Sequence, residues 1–525
     1  MKNLKCDVVI VGSGPVGMSL ALQLADEGVD TVVLERYHEI LREPRAVGLD
    51  GETLRCWQAV GLMEELSPHI HFKLGGRYFN AEGDELFWLN YEGQEPCGYP
   101  MKQSFEQGET DYILARALAR HEHARLYFSH EVTGFQQDES GVRVSVLDEN
   151  QEALEIECQF LVGCDGANST VRKILQIEMS GQANEFPWLV IDTHDESFTS
   201  GPVSAFFCNP KRPGMTLRIA PNLRRWEWML LPGEAPEELL EESKIRSLIS
   251  PFTDADKVKI FRKRVYAFSA VIADRWQVAR VLLAGDAAHT TPPFAGQGLN
   301  AGIRDTRNLF WKIAMVVKGT ADARLLESYE LERREHTREL LDFAIKLGEQ
   351  IQPLDPALAE ARDRKFAELR KDPEALQAYL DELTRPQSKR AIPEGAVASP
   401  EAHPLNGQYV FQPRVRMPDG SEPLLDEILG PGFCILGFEC DPAEKLSSEV
   451  LANFDRLELR TVAVAGAGGS SRWPYDPSGE MDRLFEGEAG TMALVRPDRF
   501  ILTAFTSENA SQALAAARTA LCLPE

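Results

Sequence analysis

The sequence predicts an α/β fold: a Rossmann-like domain, a β-rich domain inserted into it, and a small α/β domain at the carboxyl end. Three observations carry this. A Gly12-x-Gly14-x-x-Gly17 turn joins a wholly apolar run to a helical pattern. Two further apolar runs, far downstream, each end in an aspartate beside glycine, at Asp165 and Asp286. Between these two the composition turns aromatic and β-rich.

Each element has its own reason. Val8-Val9-Ile10-Val11 is a short apolar run closed by glycine and reads as a buried strand. Val16, Leu20 and Leu24 follow at helical spacing until Gly28 stops them. Thr31 to Leu34 is a second buried strand, which completes a unit of βαβ size. Residues 111–121 read as helix. Residues 126–162 alternate like hairpins and finish in Phe160-Leu161-Val162-Gly163. Arg280 to Ala284 is again a buried strand, and a long helix is expected from about 298 to 318. Residues 325–384 are charged and helix-prone, and 385–408, rich in Pro, Ala, Ser and Gly, read as a linker. Strands are expected near 433–437, 460–465 and 500–504, then a helix near 511–521. The expected domains are therefore 1–182 with 276–345 (discontinuous), 183–275 (β-rich), 346–408 (helices and linker) and 409–525.

Composition excludes several classes. At roughly 150 residues per domain, a chain of 525 residues holds three to four domains. Hydrophobic residues at 43% and charged residues at 26% suit a globular protein and not a disordered one. The formal charge, 56 − 81 = −25, repels phosphate backbones and anionic lipid, so neither nucleic acid nor membrane is an expected partner. The clusters Arg224-Arg225 and Arg333-Arg334 are too short to reverse that field. Nine scattered cysteines without a CxxC pair point to reduced thiols in the cytoplasm and against zinc. Val8 to Ala25 carries no charge, yet Gly12, Gly14, Pro15 and Gly17 would interrupt a membrane-spanning helix there.

The glycine motif carries chemistry. Gly12 permits a tight turn, Gly14 lets backbone approach a pyrophosphate, and Gly17 lets helix and strand pack closely. The helix N-terminus attracts phosphate, and Glu35, at the end of the second strand, is placed for ribose hydroxyls. An ADP moiety is expected; this motif alone leaves NAD and FAD open. The second motif, Cys164-Asp165-Gly166, and the third, Gly285-Asp286 followed by Pro292 to Asn300, add a site for a ribityl chain and flavin ring. There an aspartate can hold sugar-like hydroxyls, and a helix start can sit beside a developing anion.

These three motifs in this order resemble those of the group A flavoprotein aromatic hydroxylases, the superfamily of para-hydroxybenzoate and phenol hydroxylases. Segments 44–50, 58–62, 224–229, 231–234 and 496–500 support the likeness, which runs from about residue 5 to 505. Its finer aspect is similar to hydroxylases of 3-(3-hydroxyphenyl)propionate. The resemblance implies a glutathione-reductase-like FAD domain and a thioredoxin-like tail. It implies that Gly12, Gly14, Pro15, Gly17, Glu35 and Arg36 hold the ADP half, and that Arg45 lies near the pyrophosphate. Gln107, with Asp111 and Leu114 at the family spacing, would touch ribityl or ring, with Gln103 as a rival. Asp165 and Gly166 would serve FAD and NAD(P)H; Gly285 and Asp286 would hold the ribityl chain; Pro293, Gly296, Gly298, Leu299 and Asn300 would line the ring.

The resemblance further implies the reaction. NAD(P)H reduces FAD, O2 adds to give a C4a-hydroperoxide, and the distal oxygen passes to a small phenolic substrate, ortho to the hydroxyl. No protein nucleophile is required; a base near the phenol would help, and the sequence does not identify it. The rival readings are a flavoprotein oxidase, dehydrogenase or halogenase on the same fold, a hydroxylase of a polycyclic or heteroaromatic phenol, and a non-enzymatic FAD-binding protein.

Among single residues, His289 and Pro293 are candidates for a catalytic role, each weighed against a purely structural one. Arg218, as a carboxylate counter-ion, with Trp226, Trp228 and Phe294 are candidate substrate residues. Trp226-x-Trp228 is similar to the WxWxIP of flavin halogenases, but Pro232 is one residue too far and Leu231 replaces the isoleucine. Gly466-Ala467-Gly468-Gly469 fails as a second nucleotide motif because Ser471 stands where the third glycine is needed. Cys434 and Cys440 lack redox spacing, so the last domain is expected to serve packing or a homodimer.

Overall fold

The computed structural model describes residues 4–43, 45–183, 186–194, 202–388, 391–452 and 454–524; Pro44 of the Arg45 segment lies outside them. A six-stranded sheet runs in the order Gln277–Val278, Val281–Leu283, Phe160–Gly163, Val8–Val11, Thr31–Leu34, Ala124–Tyr127. Its pairs are parallel except the hairpin at the first edge. Every residue of Val8–Val11, Thr31–Leu34 and Phe160–Gly163 is buried, so these runs are apolar without alternation.

Register brings the three motifs together. Gly163 pairs with Val11 on one side and with Leu283 on the other. Gly12, Cys164-Asp165 and Ala284-Gly285 therefore leave the carboxyl ends of three adjacent strands, where open α/β sheets bind ligands. The approach is at backbone distance. Gly12 has φ +106°, and a Cβ there would lie 2.5 Å from the Cys164 carbonyl oxygen. A Cβ on Gly17 would lie 2.1 Å from the Gly12 oxygen. The helix Pro15–Asp26 meets the helix Gly298–Val317 just as tightly, since a Cβ on Gly302 would lie 2.6 Å from a Val16 methyl.

The second sheet has seven strands: Lys259–Tyr266, Trp188–His194, Leu223–Met229, Gly214–Ala220, Ser204–Phe207, Gly76–Phe79 and Glu85–Leu89. It extends beyond residues 183–275, because Gly76–Phe79 pairs parallel to Ser204–Phe207 and brings Glu85–Leu89 with it. Trp188, Met215, Leu217 and Met229 on one face join the core that holds Phe294 and Phe343. Ile191, Trp226 and Trp228 on the other face pack on Ile245 and Ile249 of the helix Glu242–Ile249.

A third, four-stranded sheet (Arg460–Val464, Cys434–Phe438, Met492–Val495, Ile501–Phe505) carries the helix Ala510–Ala520. It is bound to the first domain by buried ion pairs. Glu332, on the helix Glu327–Ile351, accepts Arg496 Nη2 at 2.7 Å and lies 2.8 Å from Lys312 Nζ. Burial opposes its charge, but Arg496 and Lys312 hold its carboxyl down at about 2. Arg55 makes a bidentate pair with Asp426 at 2.7 and 2.8 Å, and Arg499 joins it.

The expected linker is a packed strap. Pro373–Ser388 is helical, Ile392, Ala396 and Ala398 are buried, and the Ala396 amide donates to Glu332 Oε1. Its small residues fit under the terminal domain instead of keeping a tether loose. All nine cysteines are free. No helix among the described residues is long and apolar enough to cross a membrane, and no metal-binding cluster occurs among them.

Glu332→Ala leaves Lys312 and Arg496 buried without their shared counter-charge, so unfolding free energy should fall by about 3–5 kcal/mol in a denaturant titration. A change below about 1 kcal/mol would place the cluster in water.

Candidate functional site

The cleft at the carboxyl end of the six-stranded sheet is built from backbone first. Gly14 caps the helix Pro15–Asp26, whose N-terminus has no side-chain cap and no acidic residue in its first turn. A Cβ on Gly14 would meet nothing within 4 Å, so this positive helix end opens onto free space. Glu35 closes the next strand. Its carboxylate accepts the Ser13 amide (2.9 Å) and hydroxyl (3.0 Å) on one oxygen and the Tyr37 amide (3.0 Å) on the other. The acid is thus fixed beside the glycine turn. Arg36 instead lies at the surface, with its guanidinium on Tyr37.

Asp165 accepts the Thr170 and Val171 amides on one oxygen, while its other oxygen is buried without a partner. Arg172 ties this loop to the third motif by donating to the Ala287 and Ala167 carbonyls. Gly166, with φ +79°, leaves space where a Cβ would stand.

Gln107 opens the helix Gln107–Arg120 and gathers the opposite wall. Its Oε1 accepts the Arg45 and Ala46 amides at 2.8 and 2.7 Å, and its Nε2 donates to Asp111. Gln103 sits within the strand Lys102–Phe105, paired to Leu49, so Gln107 is the glutamine at the cleft. Burial pushes the Asp111 carboxyl up to about 7, against the charge of Arg45 and the Gln107 hydrogen bond. Arg45 also faces Asp286 from across the cleft. Asp286 is exposed to the cleft but crowded by protein on its other sides. That crowding raises its carboxyl, and His289 and Arg45 pull the other way.

The helix Gly298–Val317 begins beside Asp286 and, like the first helix, has neither side-chain cap nor acid in its first turn. Gly285 is buried against Val16, and Leu299 is half-buried next to Gly298. Asn300 behaves differently from expectation. It is 1% exposed; its Oδ1 accepts the Asp50 amide and Thr53 hydroxyl, and its Nδ2 donates to the Gly48 and Gly296 carbonyls. All its side-chain capacity is used by protein, so this side chain clamps the Gly296 turn. His289 is likewise no group of the cleft. It is fully buried, 2.7 Å from Asp305, which also takes the Gly285 amide and Arg333. Burial works against the Asp305 charge, but His289 and Arg333 more than offset it and keep the carboxyl below its usual range. The trio holds the Gly285-Asp286 turn from behind. Lys102 holds the next turn, Pro293–Ala295, through the Ala295 carbonyl at 2.7 Å.

The substrate candidates divide between the two faces of the seven-stranded sheet. Thr216 pairs with Trp226, and Arg218 with Arg224, so Arg218, Trp226 and Trp228 project to the outer face. Trp228 stacks on Phe207 there, and the Arg218 guanidinium lies over Phe72. Phe294 is buried, edge-on to Trp188, and braces the Pro293 turn from within. The inner face carries residues that sequence reasoning passed over. Arg225 donates to both Asp192 oxygens (2.7 and 2.9 Å) and to the Arg45 carbonyl (2.8 Å), and Arg262 adds a third bond to Asp192. Glu227 lies beside them. The signal was available: in a strand reading Trp-Glu-Trp, the acid faces opposite to both indoles.

The residues present fit FAD. Two uncapped helix starts and open glycines offer amides to a diphosphate, while Glu35, Asp286 and the unpartnered oxygen of Asp165 offer acceptors to hydroxyls and ring nitrogens.

Comparison with known proteins agrees with this. The FAD binding domain family matches residues 5–344, and an HcaD C-terminal domain matches 407–520. A 3-(3-hydroxy-phenyl)propionate/3-hydroxycinnamic acid hydroxylase of Burkholderia cenocepacia is 35% identical over 510 residues, covering 95% of this chain and 93% of its own. One from Comamonas testosteroni is 32% identical, covering 94% and 93%. Among solved structures, the flavin-dependent monooxygenase PieE, in complex with FAD and substrate, superposes with TM-score 0.83 at 19% identity over the whole of both chains, a likeness of fold.

The raised Asp111 carboxyl has a signed consequence. Its folded pKa of about 7 exceeds the ordinary 3.8, so ionisation costs stability progressively as pH rises from 3.8 towards 7 and fully above that. Asp111→Asn should therefore leave Tm unchanged near the lower of these values and raise it near neutrality in protein stripped of cofactor. Equal Tm values for variant and parent at both ends would exclude a buried neutral carboxyl.

Proposed function

As a chain that belongs to the FAD binding domain family, it is, we propose, an FAD-dependent, NAD(P)H-consuming monooxygenase that hydroxylates a phenolic acid like 3-(3-hydroxyphenyl)propionate. The observation that carries the reading is likeness to a hydroxylase over 95% of the chain, together with a cleft whose donor set suits a dinucleotide.

Gly12, Gly14, Pro15 and Gly17 present backbone to the diphosphate, and Glu35 receives the ribose. Gln107 and Arg45 form the wall over the ribityl chain, and Asp286 accepts its hydroxyls. Gly296 and Gly298 bring the second helix start to the ring, held by Asn300 and Lys102. Asp165 and Gly166 stand where FAD and a visiting NAD(P)H would both reach. FAD bound here supplies hydride acceptance from NAD(P)H and activation of O2 for transfer of one oxygen atom to an electron-rich ring. The protein supplies orientation and exclusion of water. Arg225 spans the two sheets by holding the Arg45 carbonyl, so the substrate sheet and the cofactor wall move as one.

Nine free cysteines and a strongly negative charge support a cytoplasmic setting, with neither nucleic acid nor lipid as partner. The order of the terminal sheet, with its first two strands parallel and the rest antiparallel, supports a thioredoxin-like tail. Burial pushes the Cys434 thiol up to about 12, which supports a packing or homodimer role over a redox one.

Purified protein given NADH or NADPH, a panel of phenolic acids and ¹⁸O2 should yield a catechol-type product with one labelled oxygen. Hydrogen peroxide without labelled product would favour an oxidase. Asp286→Ala should weaken FAD binding at least about tenfold, the loss of one well-made hydrogen bond to a charged group, measured by fluorescence titration; unchanged affinity would remove Asp286 from the ribityl site.

A further inference from the structure

Among the described residues, Glu227 is the acid on the inner face of the seven-stranded sheet that keeps a carboxyl oxygen without a partner. Its side chain is 4% exposed. Across the ladders its neighbours are Val190 and Met215, which offer it nothing polar. On its own strand, Arg225 comes only to 3.9 Å of Oε1 and is committed to Asp192 and the Arg45 carbonyl. From the flanking strands, Asp192 is taken by Arg225 and Arg262, and Arg262 also reaches Tyr266 and Glu43. Glu227 Oε2 has no partner at all. A buried carboxyl oxygen without a donor is costly, so its retention points to a donor that arrives with the substrate.

Place and charge narrow that donor. Glu227 stands on the inner face two residues along its strand from Arg225, which holds the carbonyl of Arg45, whose amide Gln107 takes. Burial and Asp192 push its carboxyl up to about 7, against Arg225 and Arg262, so it exchanges a proton near neutrality. A substrate carboxylate would bring no donor to Glu227 Oε2, and both cations beside it, Arg225 and Arg262, are already engaged with Asp192. The hydroxyl end of a phenolic acid brings the missing O–H.

We propose that Glu227 Oε2 accepts the proton of the substrate phenol and so makes Glu227 the base of the hydroxylation. The proposal rests on the hydroxylase reading above. The O–H bond breaks, its electron pair stays on the phenolic oxygen, and the proton passes to Glu227. The electron-rich ring then bonds at an adjacent carbon to one oxygen of O2, whose O–O bond would break with two electrons supplied by NAD(P)H through FAD, the second oxygen leaving as water. That carbon loses its hydrogen to water as a proton, and Glu227 returns its own proton to the product oxygen. The carboxylate ends as it began.

The test compares FAD-loaded wild type, Glu227→Gln and Glu227→Asp with 3-(3-hydroxyphenyl)propionate, from about pH 5 to about pH 9, around the neutral optimum of a general base. Three quantities are read: ultraviolet difference absorbance of the bound phenol, which reports its ionisation; kcat and KM for product; and the ratio of product to NAD(P)H consumed. Expected for Glu227→Gln is loss of the bound-phenolate band, a fall in kcat of about 10²–10⁴-fold, little change in KM, and activity recovering as pH rises. Glu227→Asp should regain part of kcat and ionise the phenol at higher pH than wild type. Retained FAD and a thermal midpoint no lower than that of wild type separate this from misfolding. If the Gln variant fails to hold FAD, the Asp variant decides, and a bound-phenol titration identical to wild type overturns the proposal. It is equally overturned if Glu227→Gln turns over within about twofold of wild type with the same phenolate band, a result that leaves the hydroxylase reading intact. Wild type that gives no product from any phenolic acid would instead bring down that reading, and this one with it.

Discussion

Everything in this molecule depends on main chain meeting main chain without side chains between. The Gly12 turn lies against the Cys164 carbonyl, the Gly17 backbone against the Gly12 carbonyl, and Gly302 against Val16. These approaches let three loops from distant parts of the sequence occupy one edge of one sheet. They also point two helix N-termini, unneutralised by their own side chains, into the same cleft. A methyl group at Gly12 or Gly17 would separate layers that the cofactor must bridge.

Around that backbone frame the side chains divide into two trades. Some face the cleft with spare capacity, as Glu35, Asp165 and Asp286 do. Others spend their hydrogen bonds on protein and fix the first group in place. Asn300, with four protein partners, and the His289–Asp305–Arg333 trio belong to the second kind. Lys312, Glu332 and Arg496 extend the same logic outward, since they tie the helix Gly298–Val317 to the terminal domain. Desolvation opposes each of these buried ions, and their mutual pairing largely offsets that cost.

The sequence made the nucleotide unit legible because its constraints are local: glycine spacing, an apolar strand on either side and an acid at the second strand's end. It also exposed the Asp165 and Asp286 turns. It did not reveal which chain segments complete a sheet. Gly76–Phe79 joins Ser204–Phe207 across a long sequence gap, and no local pattern encodes that pairing. The strap at 391–408 was misread because small residues mark both a loose tether and a close fit beneath another domain. Among the candidate site residues, Trp226 and Trp228 drew attention by type, although the two-residue period of a strand sends them to the far core and the modest Glu227 to the inner face. Asn300 and His289 look functional in sequence for the same reason that buried polar groups often do: only the partner list distinguishes a clamp from a ligand.

The strand Leu223–Met229 carries a consequence for how such proteins diversify. Its two sides answer to different demands, indoles that cement a hydrophobic layer behind and ionic groups in front. A single insertion or deletion inside it would exchange the two sets wholesale, sending tryptophan to the side of Asp192 and acid into the apolar layer behind. The ribbon therefore tolerates point replacements at alternate positions, whereas changes of length fit only at the connections at its ends.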